Sequence, residues 1–219
     1  MKLIILAAGD SFELDGFNKL MINHPKYDKS IIELYEEFFD VDTIEIVVGY
    51  RAIEIMNAYP KYDYIFNKNW QTTGSAYSLS LALTDEPCYV ISSDFLIDIE
   101  KAQKLLSEEN YAVIKKSESR RLTSLNAKID SDILKVEEVY RGKAYNNDPE
   151  MLGIFKISNL DVLRLWKRNG ITNSNSYAGE TLPYTDQDIS AIYLDDKMIT
   201  EINTPEDYIN FIKRGSNNE

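Results

Sequence analysis

The residues best suited to chemistry lie in three short stretches, the first of which is LAAGDSFELDGFNKL (6–20). Its small residues Ala7, Ala8 and Gly9 let backbone N–H groups come close to a ligand, and such groups can bind phosphate oxygens. Lys19 adds a full positive charge. The stretch is therefore typical of a phosphate-binding turn, although a tight strand-to-helix turn with a solvated lysine fits the same residues. The G-x-G-x-x-G pattern is absent, which disfavours a dinucleotide-binding fold.

The other two stretches supply oxygen atoms that could bind a cation. In ISSDFL (91–96), Asp94 ends a run of apolar residues, at the carboxyl end of a predicted strand, where a metal ligand is expected. An aspartate that only caps the following turn is the alternative. In EINTPED (201–207), Glu201 and Asn203 alternate along a predicted strand and share one face. The same stretch also reads as the start of a helix, and the two interpretations are compatible.

Composition excludes several other kinds of site. The chain has 219 residues and a formal net charge of −12, which argues against the basic face that a nucleic-acid-binding protein needs. Cys88 is the single cysteine and His24 the single histidine, so an intrachain disulfide and a cysteine metal cluster are excluded, as is any Ser-His-Asp triad or multi-histidine metal site that is not built around His24. A divalent cation would need mainly oxygen ligands, which favours Mg²⁺ or Mn²⁺.

The N-terminal apolar run is too short for a secretion signal, because Gly9 and Asp10 interrupt it. No later run approaches the ~20 apolar residues of a membrane span. We therefore expect a soluble, cytoplasmic protein with neither a membrane nor a nucleic acid as partner. The sequence does not predict an oligomeric state.

Alternating strands and helices must position these residues. The predicted strands are 3–7, 43–50, 62–67, 88–97, 111–119, 127–139, 151–158 and 198–203, and the predicted helices are 30–39, 51–60, 75–83, 160–169 and 204–214. Gly170 is expected to end the fourth helix and Thr204 to cap the fifth.

This order predicts an α/β protein with a doubly wound, mostly parallel, Rossmann-like sheet and a small antiparallel β addition. The strands of the second half include some that are expected to pair antiparallel, through turns near Asp130. We expect one domain over 1–214, with halves at 1–97 and 98–214, and a frayed tail at 215–219.

Taken in order, these stretches resemble a known family. The pattern LAAG…K, the strand-end Asp94 and E-x-N-T-P-E-D are similar to the nucleotidyltransferase fold of the sugar-1-phosphate nucleotidyltransferases, and most to the CTP:phosphocholine cytidylyltransferase-like group. The segments IVVGY (46–50), FNKNWQTTGSAYSLSLAL (66–83) and YVISSDFLI (89–97) match the same group, and MLGIF extends the likeness into the second half.

The resemblance implies a nucleotidyltransferase with Mg²⁺ as its cofactor, in which Lys19 and Asp94 are catalytic. Asp94, Asn203 and Glu201 would bind the metal. The implied nucleotide-binding residues are Leu6, Ala7, Ala8, Gly9, Asp10, Lys19, Gly49, Tyr50, Asn67, Thr73, Gly74, Ser75, Ser78 and Ser93. The implied acceptor-binding residues are Lys115, Arg120, Gly153, Glu180 and Asp186.

The partners implied by the resemblance are CTP and a small phosphorylated acceptor. Phosphocholine, phosphoethanolamine, a polyol phosphate and phosphoglutamine are the candidate acceptors, for the modification of a surface polysaccharide or capsule. Two alternatives stay open: a sugar-1-phosphate nucleotidyltransferase that uses UTP, dTTP or GTP, and an inactive nucleotide-binding relative. The turn before Lys19 lacks the arginine common in the family, Asn18 stands where a proline is usual, and Asn203 stands where an aspartate is frequent.

Overall fold

The structure is a computed structural model that describes residues 1–116, 123–145, 147–185, 187–195 and 197–216; residues 214–216 are described by their backbone alone. The strands are β1 (Lys2–Ala7), β2 (Asn23–His24), β3 (Lys29–Ser30), β4 (Thr43–Val48), β5 (Asp63–Phe66), β6 (Cys88–Ser92), β7 (Phe95–Ile97), β8 (Tyr111–Lys115), β9 (Leu125–Asp130), β10 (Lys135–Arg141), β11 (Glu150–Ile157), β12 (Ser190–Tyr193) and β13 (Ile199–Glu201). The α-helices are α1 (Ile31–Phe39), α2 (Ala52–Ala58), α3 (Ser75–Ala82), α4 (Leu160–Thr172), α5 (Ala178–Thr181) and α6 (Pro205–Ser216).

A nine-stranded sheet in the order β5-β4-β1-β6-β11-β8-β12-β10-β9 forms the centre of the protein. Its first four strands are parallel, as the alternating sequence pattern predicts. All six residues of β1 are buried, because β1 is flanked by a strand on each side and by a layer of packed side chains on each face.

Helices cover both faces of the sheet, which confirms the α/β class. Ile5 of β1 belongs to a core with Tyr35 of α1. Ile4, which points to the opposite face, belongs to a second core with Leu79 of α3 and Trp166 of α4. The period-2 alternation of a strand thus divides one apolar run between two cores.

The prediction of a mostly parallel sheet is wrong beyond β6. Strand β11 pairs antiparallel with β6 and β8, and β10 pairs antiparallel with β9 and β12. Strand β9 also pairs with β11, so these five strands close into a ring within the main sheet instead of forming a small separate addition. The tight turn between β9 and β10 allows only antiparallel pairing, whereas β8 and β12 are parallel and far apart in the chain.

Several element boundaries differ from the prediction. The predicted strand 88–97 is two strands, β6 and β7, which are interrupted at Ser93 and Asp94. The predicted strand 127–139 is the β9–β10 hairpin, and the predicted strand 111–119 is described only to Lys116. Helix α5 and strand β12 are too short to show a periodic pattern, and they were not predicted.

Gly170 lies inside α4 and does not end it. A Cβ atom there would lie 2.6 Å from the carbonyl oxygen of Ala76 in α3 and 3.2 Å from the Cβ of Ser80. The glycine therefore allows α3 and α4 to pack closely, and this tertiary contact overrides the tendency of glycine to end a helix. None of the helices in the described part of the chain combines enough length and hydrophobicity to cross a bilayer.

Gly170→Ala tests this packing. Alanine favours a helix over glycine by about 1 kcal/mol, but overpacking costs about 1–3 kcal/mol, and the backbone oxygen of Ala76 cannot rotate away. We expect the overpacking cost to exceed the helix gain, with a net loss of up to about 2 kcal/mol of unfolding free energy in urea denaturation. Arg168→Ala, at an exposed position of α4, is the control and should leave the midpoint unchanged. A Gly170→Ala protein as stable as the wild type would contradict the close contact.

Candidate active site

The turn after β1 leaves backbone donors open. Within the described residues, the N–H groups of Gly9, Asp10 and Ser11 donate no hydrogen bond. A Cβ atom at Gly9 would meet no atom within 4 Å, so packing does not explain the glycine. An open turn with free N–H groups is suited to an anionic ligand.

The rest of this loop packs against the residues that follow β4. The Tyr50 N–H donates to the carbonyl oxygen of Ala8 (3.1 Å), and a Cβ atom at Gly49 would lie 2.5 Å from the same oxygen. Gly16, at φ +75°, packs against the Tyr50 ring. Tyr50 also contacts the ring of Trp70, with 5.2 Å between the ring centroids. These contacts hold the open turn between two parallel strands.

Asn18 explains how Lys19 is directed into the protein. The Asn18 side chain accepts a hydrogen bond from the Leu20 N–H (3.1 Å) and so caps the short 3₁₀ turn Lys19–Met21. Leu20 is fully buried, which anchors this turn in the core. Asn18 thus provides a defined start for the turn without a proline at this position.

Asp94 occupies the interruption between β6 and β7. The Ser93 N–H donates to the carbonyl oxygen of Leu6 (3.0 Å), after which β7 leaves the main sheet and pairs antiparallel with β13. The Tyr35 hydroxyl donates to the carbonyl oxygen of Phe95. Burial raises the pKa of Tyr35, and the nearby charge of Asp94 raises it further, so the phenol stays protonated as this donor.

Asn203 is positioned by the cap of α6. One oxygen of Asp207 accepts from the N–H groups of Asn203 (3.0 Å) and Thr204 (2.8 Å), and the Thr204 hydroxyl accepts from the Asp207 N–H (3.1 Å). The Asn203 amide donates to a carboxylate oxygen of Glu201 (2.5 Å). The prediction that a helix starts in this stretch is confirmed. The same cap fixes the backbone of Asn203 and thereby positions its side chain.

Lys19 joins the three predicted stretches. Its ammonium donates to Asp94 Oδ1 (2.5 Å) and to Asn203 Oδ1 (2.9 Å). The Lys19 side chain is 7% exposed and that of Asp94 40% exposed, so the pair lies at the boundary between core and solvent. A buried ammonium is stabilised only when such partners compensate its lost hydration.

Two concave regions meet at this ion pair. A narrow depression on one side is lined by Gly9, Lys19 and Ser93, among others. A cleft of about 280 Å³ lies on the other side. Its lining residues are Leu6, Ser75, Ser92, Asp94, Phe95, Thr123, Ser124, Leu125, Glu150, Met151, Leu152, Gly153, Phe155, Tyr177, Ala178, Gly179, Glu201 and Asn203. The arrangement suits a reaction between a ligand on the turn and one in the cleft.

The residues implied to contact the base or ribose form a connected network beside the cleft. The Asn67 side chain is buried and donates to the hydroxyls of Thr73 (3.1 Å) and Ser78 (3.0 Å). Gly74 passes so close to the loop before α5 that a Cβ atom would lie 2.2 Å from the Ser176 carbonyl oxygen. This network shapes segment 67–78, and the nucleotide-binding roles of its members stay predictions.

Of the residues implied to bind the acceptor, the described ones do not form one cluster, and only one of them lines the cleft. Gly153 lies in the cleft, where β11 passes close to Ser92. Lys115 is the register partner of Glu150 in the β8–β11 pair. The Glu180 carboxylate is already bound by Arg141. Arg120 and Asp186 lie outside the described residues, so their implied roles also stay predictions.

Glu150 and Tyr177 are among the cleft residues that sequence reasoning missed. Glu150 is buried although it is charged, and Tyr177 precedes α5. A carboxylate next to the apolar run MLGIF was the available signal for Glu150. For Tyr177 no sequence signal existed, because α5 itself was not predicted.

A larger concave surface lies elsewhere. It measures about 660 Å³ and lies against the β9–β10 hairpin. Its charged groups include the ion pairs Lys128–Glu137 and Lys135–Asp188. The smaller cleft is the candidate active site, because the predicted chemical groups converge there and not at the larger surface.

A double-mutant cycle of Lys19→Met and Asp94→Asn measures the coupling energy of the central ion pair. Each substitution leaves a partly buried polar group without its partner, so the double variant should lose less stability than the two single losses combined. We expect a coupling energy of about 0.5–3 kcal/mol in a double-mutant cycle of urea unfolding. The exposed Lys26–Glu100 pair (2.8 Å) is the control, and its coupling should be close to zero. Additive effects of Lys19→Met and Asp94→Asn would contradict the pair.

Comparison with known proteins finds similar structures but no similar sequence family. No protein-family model and no curated protein matches the sequence. The CTP:phosphocholine cytidylyltransferase of Streptococcus pneumoniae is similar in structure, with a TM-score of 0.72, 19% identity and coverage of 97% of this chain and 98% of that one. The inositol-1-phosphate CTP transferase of T. maritima has a TM-score of 0.72, 16% identity and coverage of 99% and 96%.

A UDP-glucose pyrophosphorylase solved with UDP-glucose has a TM-score of 0.75, 15% identity and coverage of 100% of this chain and 99% of that one. These likenesses extend over the whole chain, and at such identities they establish the fold. The protein therefore has the fold of the sugar-1-phosphate nucleotidyltransferases.

Proposed function

We propose that this protein is a nucleotidyltransferase that joins CTP to a small phosphorylated acceptor and releases pyrophosphate. The observation that carries the proposal is the Lys19 ammonium, held by Asp94 and Asn203 where the open turn meets the cleft. A nucleotide on the turn and an acceptor in the cleft would meet at this positive charge. Residues 1–97 would then provide most nucleotide contacts and residues 98–214 most acceptor contacts.

The proposed reaction needs no nucleophile from the protein. A phosphate oxygen of the acceptor attacks the α-phosphorus of CTP, a new P–O bond forms, and the bond from the α-phosphorus to the bridging oxygen of pyrophosphate breaks. The rate enhancement would come from in-line positioning and from charge neutralisation by Lys19. This chemistry fits a chain whose single histidine, His24, lies outside the site.

Asp94, Glu201 and Asn203 would hold Mg²⁺. They offer only oxygen ligands, and Mg²⁺ in proteins typically binds one or two carboxylates together with substrate phosphates. The second carboxylate oxygen of Asp94, Oδ2, is bonded only to the Ser92 hydroxyl (3.2 Å) among the described residues. Bound there, Mg²⁺ would neutralise charge on the phosphates.

The choice of CTP follows from the sequence resemblance and from two similar structures whose names specify CTP. A sugar-1-phosphate nucleotidyltransferase that uses UTP, dTTP or GTP is the alternative, and a UDP-glucose pyrophosphorylase is among the similar structures.

The cleft favours an acceptor with a cationic end, such as phosphocholine or phosphoethanolamine. Asp94 and Glu201 are assigned to Mg²⁺, but Glu150 adds a further carboxylate, and the described lining residues include no lysine or arginine. Glu150 is buried, so its charge would act in a low dielectric. The aromatic rings of Phe155 and Tyr177 also suit an alkylated ammonium group. A polyol phosphate or phosphoglutamine offers less complementarity. The product would serve to modify a surface polysaccharide or capsule.

Pyrophosphate release tests the proposed function. With Mg²⁺ and CTP, phosphocholine or phosphoethanolamine should release pyrophosphate faster than the other acceptors. Lys19→Met and Asp94→Asn should each lower kcat by about 10²–10³-fold, because each removes a charge next to the reacting phosphates. Both variants should still unfold cooperatively. Lys26→Met, at an exposed lysine, is the matched control and should retain full activity.

Other outcomes of this assay discriminate between the alternatives. If the protein reacts faster with UTP, dTTP or GTP and a sugar 1-phosphate than with CTP, it is a sugar-1-phosphate nucleotidyltransferase and not a cytidylyltransferase. No pyrophosphate from any nucleotide with any acceptor, combined with CTP binding in calorimetry, would identify an inactive nucleotide-binding relative. Loss of activity on metal chelation and recovery with Mg²⁺ are expected, and full activity in a chelator would contradict the metal.

Glu150→Gln tests the acceptor class, because it removes one charge and preserves the shape. We expect the KM for phosphocholine to rise about tenfold, equivalent to about 1.4 kcal/mol, with little change in the KM for CTP. The KM for a polyol phosphate should not rise. Glu138→Gln, at an exposed position of β10, is the control. An equal rise for charged and uncharged acceptors would contradict a cationic subsite.

A further inference from the structure

We propose that Arg141 and Glu180 form a clamp that fixes the Tyr177 ring as a wall of the acceptor cleft and thereby positions the acceptor. Tyr177 lines the cleft, whereas Arg141 and Glu180 do not. Arg141 and Glu180 would therefore act on the acceptor through Tyr177. The inference rests on the proposed function, since it concerns how the acceptor is held in the same site.

The clamp consists of contacts among three side chains. Arg141 Nε donates to Glu180 Oε1 (2.6 Å), and Arg141 Nη2 donates to Oε2 (2.5 Å), which is the two-bond geometry that a guanidinium forms with a carboxylate. The guanidinium carbon lies over the Tyr177 ring, 4.4 Å from its centroid. The Tyr177 N–H donates to Glu180 Oε2 (2.7 Å). Both the ring and the backbone of Tyr177 are therefore held by one ion pair.

The clamp connects two elements that are otherwise separate in the chain. Arg141 is the last residue of β10, and Glu180 lies in α5, which Tyr177 precedes. Behind Tyr177 the backbone is anchored, because the Ala178 N–H donates to the Ser75 hydroxyl (2.9 Å) and the Ala178 carbonyl accepts from Trp166 Nε1 (2.9 Å). The backbone is thus fixed from the core, and Arg141 restrains the ring from outside.

This restraint matters because Tyr177 is 38% exposed. An exposed aromatic ring samples several rotamers, and a ligand that binds against it must first restrict that motion. A ring held by a guanidinium on one side presents a preformed surface to the acceptor. Tyr177 is not among the residues implied to bind the nucleotide, so the contribution of the clamp should appear in acceptor affinity and leave the affinity for CTP unaffected.

A second ion pair of the same geometry provides a matched control. Arg164 binds Asp85 through Nε and Nη2, both at 3.0 Å, and neither residue lines the cleft. Arg164 is exposed, as Arg141 is. A general effect of losing an arginine–carboxylate pair would appear equally in Arg164→Met and Arg141→Met.

The kinetic experiment compares the KM for the acceptor with the KM for CTP and with kcat. We expect Arg141→Met and Glu180→Gln to raise the acceptor KM about fivefold or more, with the KM for CTP unchanged, and Arg164→Met to change neither. Arg141→Lys should recover only part of the loss, because lysine lacks the planar fork. Arg141→Met combined with Tyr177→Ala should be no worse than Tyr177→Ala alone, since Arg141 acts through that ring.

The results that overturn the clamp differ from those that overturn the proposed function. An active wild type whose acceptor KM is unchanged in Arg141→Met and Glu180→Gln would overturn the clamp alone, as would additive effects of Arg141→Met and Tyr177→Ala. A wild type that releases no pyrophosphate would overturn the proposed function.

The position of the ring can also be tested without activity. In protein labelled with 3-fluorotyrosine, the ¹⁹F resonance that is missing in Tyr177→Phe identifies this ring. Arg141→Met and Glu180→Gln should shift that resonance, and Arg164→Met should not. An unshifted resonance in both clamp variants would overturn the clamp whatever the kinetics show.

Discussion

The structure of the site depends on one interaction, the burial of the Lys19 ammonium against Asp94 and Asn203. An ammonium with a 7% exposed side chain needs compensating oxygens, so the three segments that carry these residues are coupled. The interaction joins the turn after β1, the interruption between β6 and β7, and the cap of α6. Because these segments border both the depression and the cleft, one ion pair fixes where the two concave regions meet.

The local features around this ion pair serve two purposes at once. Asn18 starts a 3₁₀ turn and directs Lys19 inward, and Asp207 caps α6 and holds the backbone of Asn203. The interruption at Asp94 ends pairing with the main sheet and begins pairing with β13. Each feature is stabilised by ordinary capping or strand pairing, so the positions of the functional side chains follow from secondary structure and need little additional strain.

Much of the first half of the fold could be predicted from the sequence, because its strands and helices are long enough to show a period. The second half could not, since the roles of β8, β11 and β12 depend on which strands they pair with. Within the site, Lys19, Asp94 and Asn203 carried local signals, and the structure brings them into contact. Glu150 and Tyr177 enter the cleft through the bent path of β11 and the short helix α5, which local patterns do not specify.

The sequence by itself determined the α/β alternation, the open turn at Gly9, the cap at Thr204 and the exclusion of sites that need several histidines or cysteines. These properties depend on residues a few positions apart or on composition alone. Only the tertiary structure decided that Lys19 contacts Asp94 and Asn203, which lie 75 and 184 positions away in the chain. Such contacts are set by strand order and register, and these follow from how the whole sheet buries its two faces.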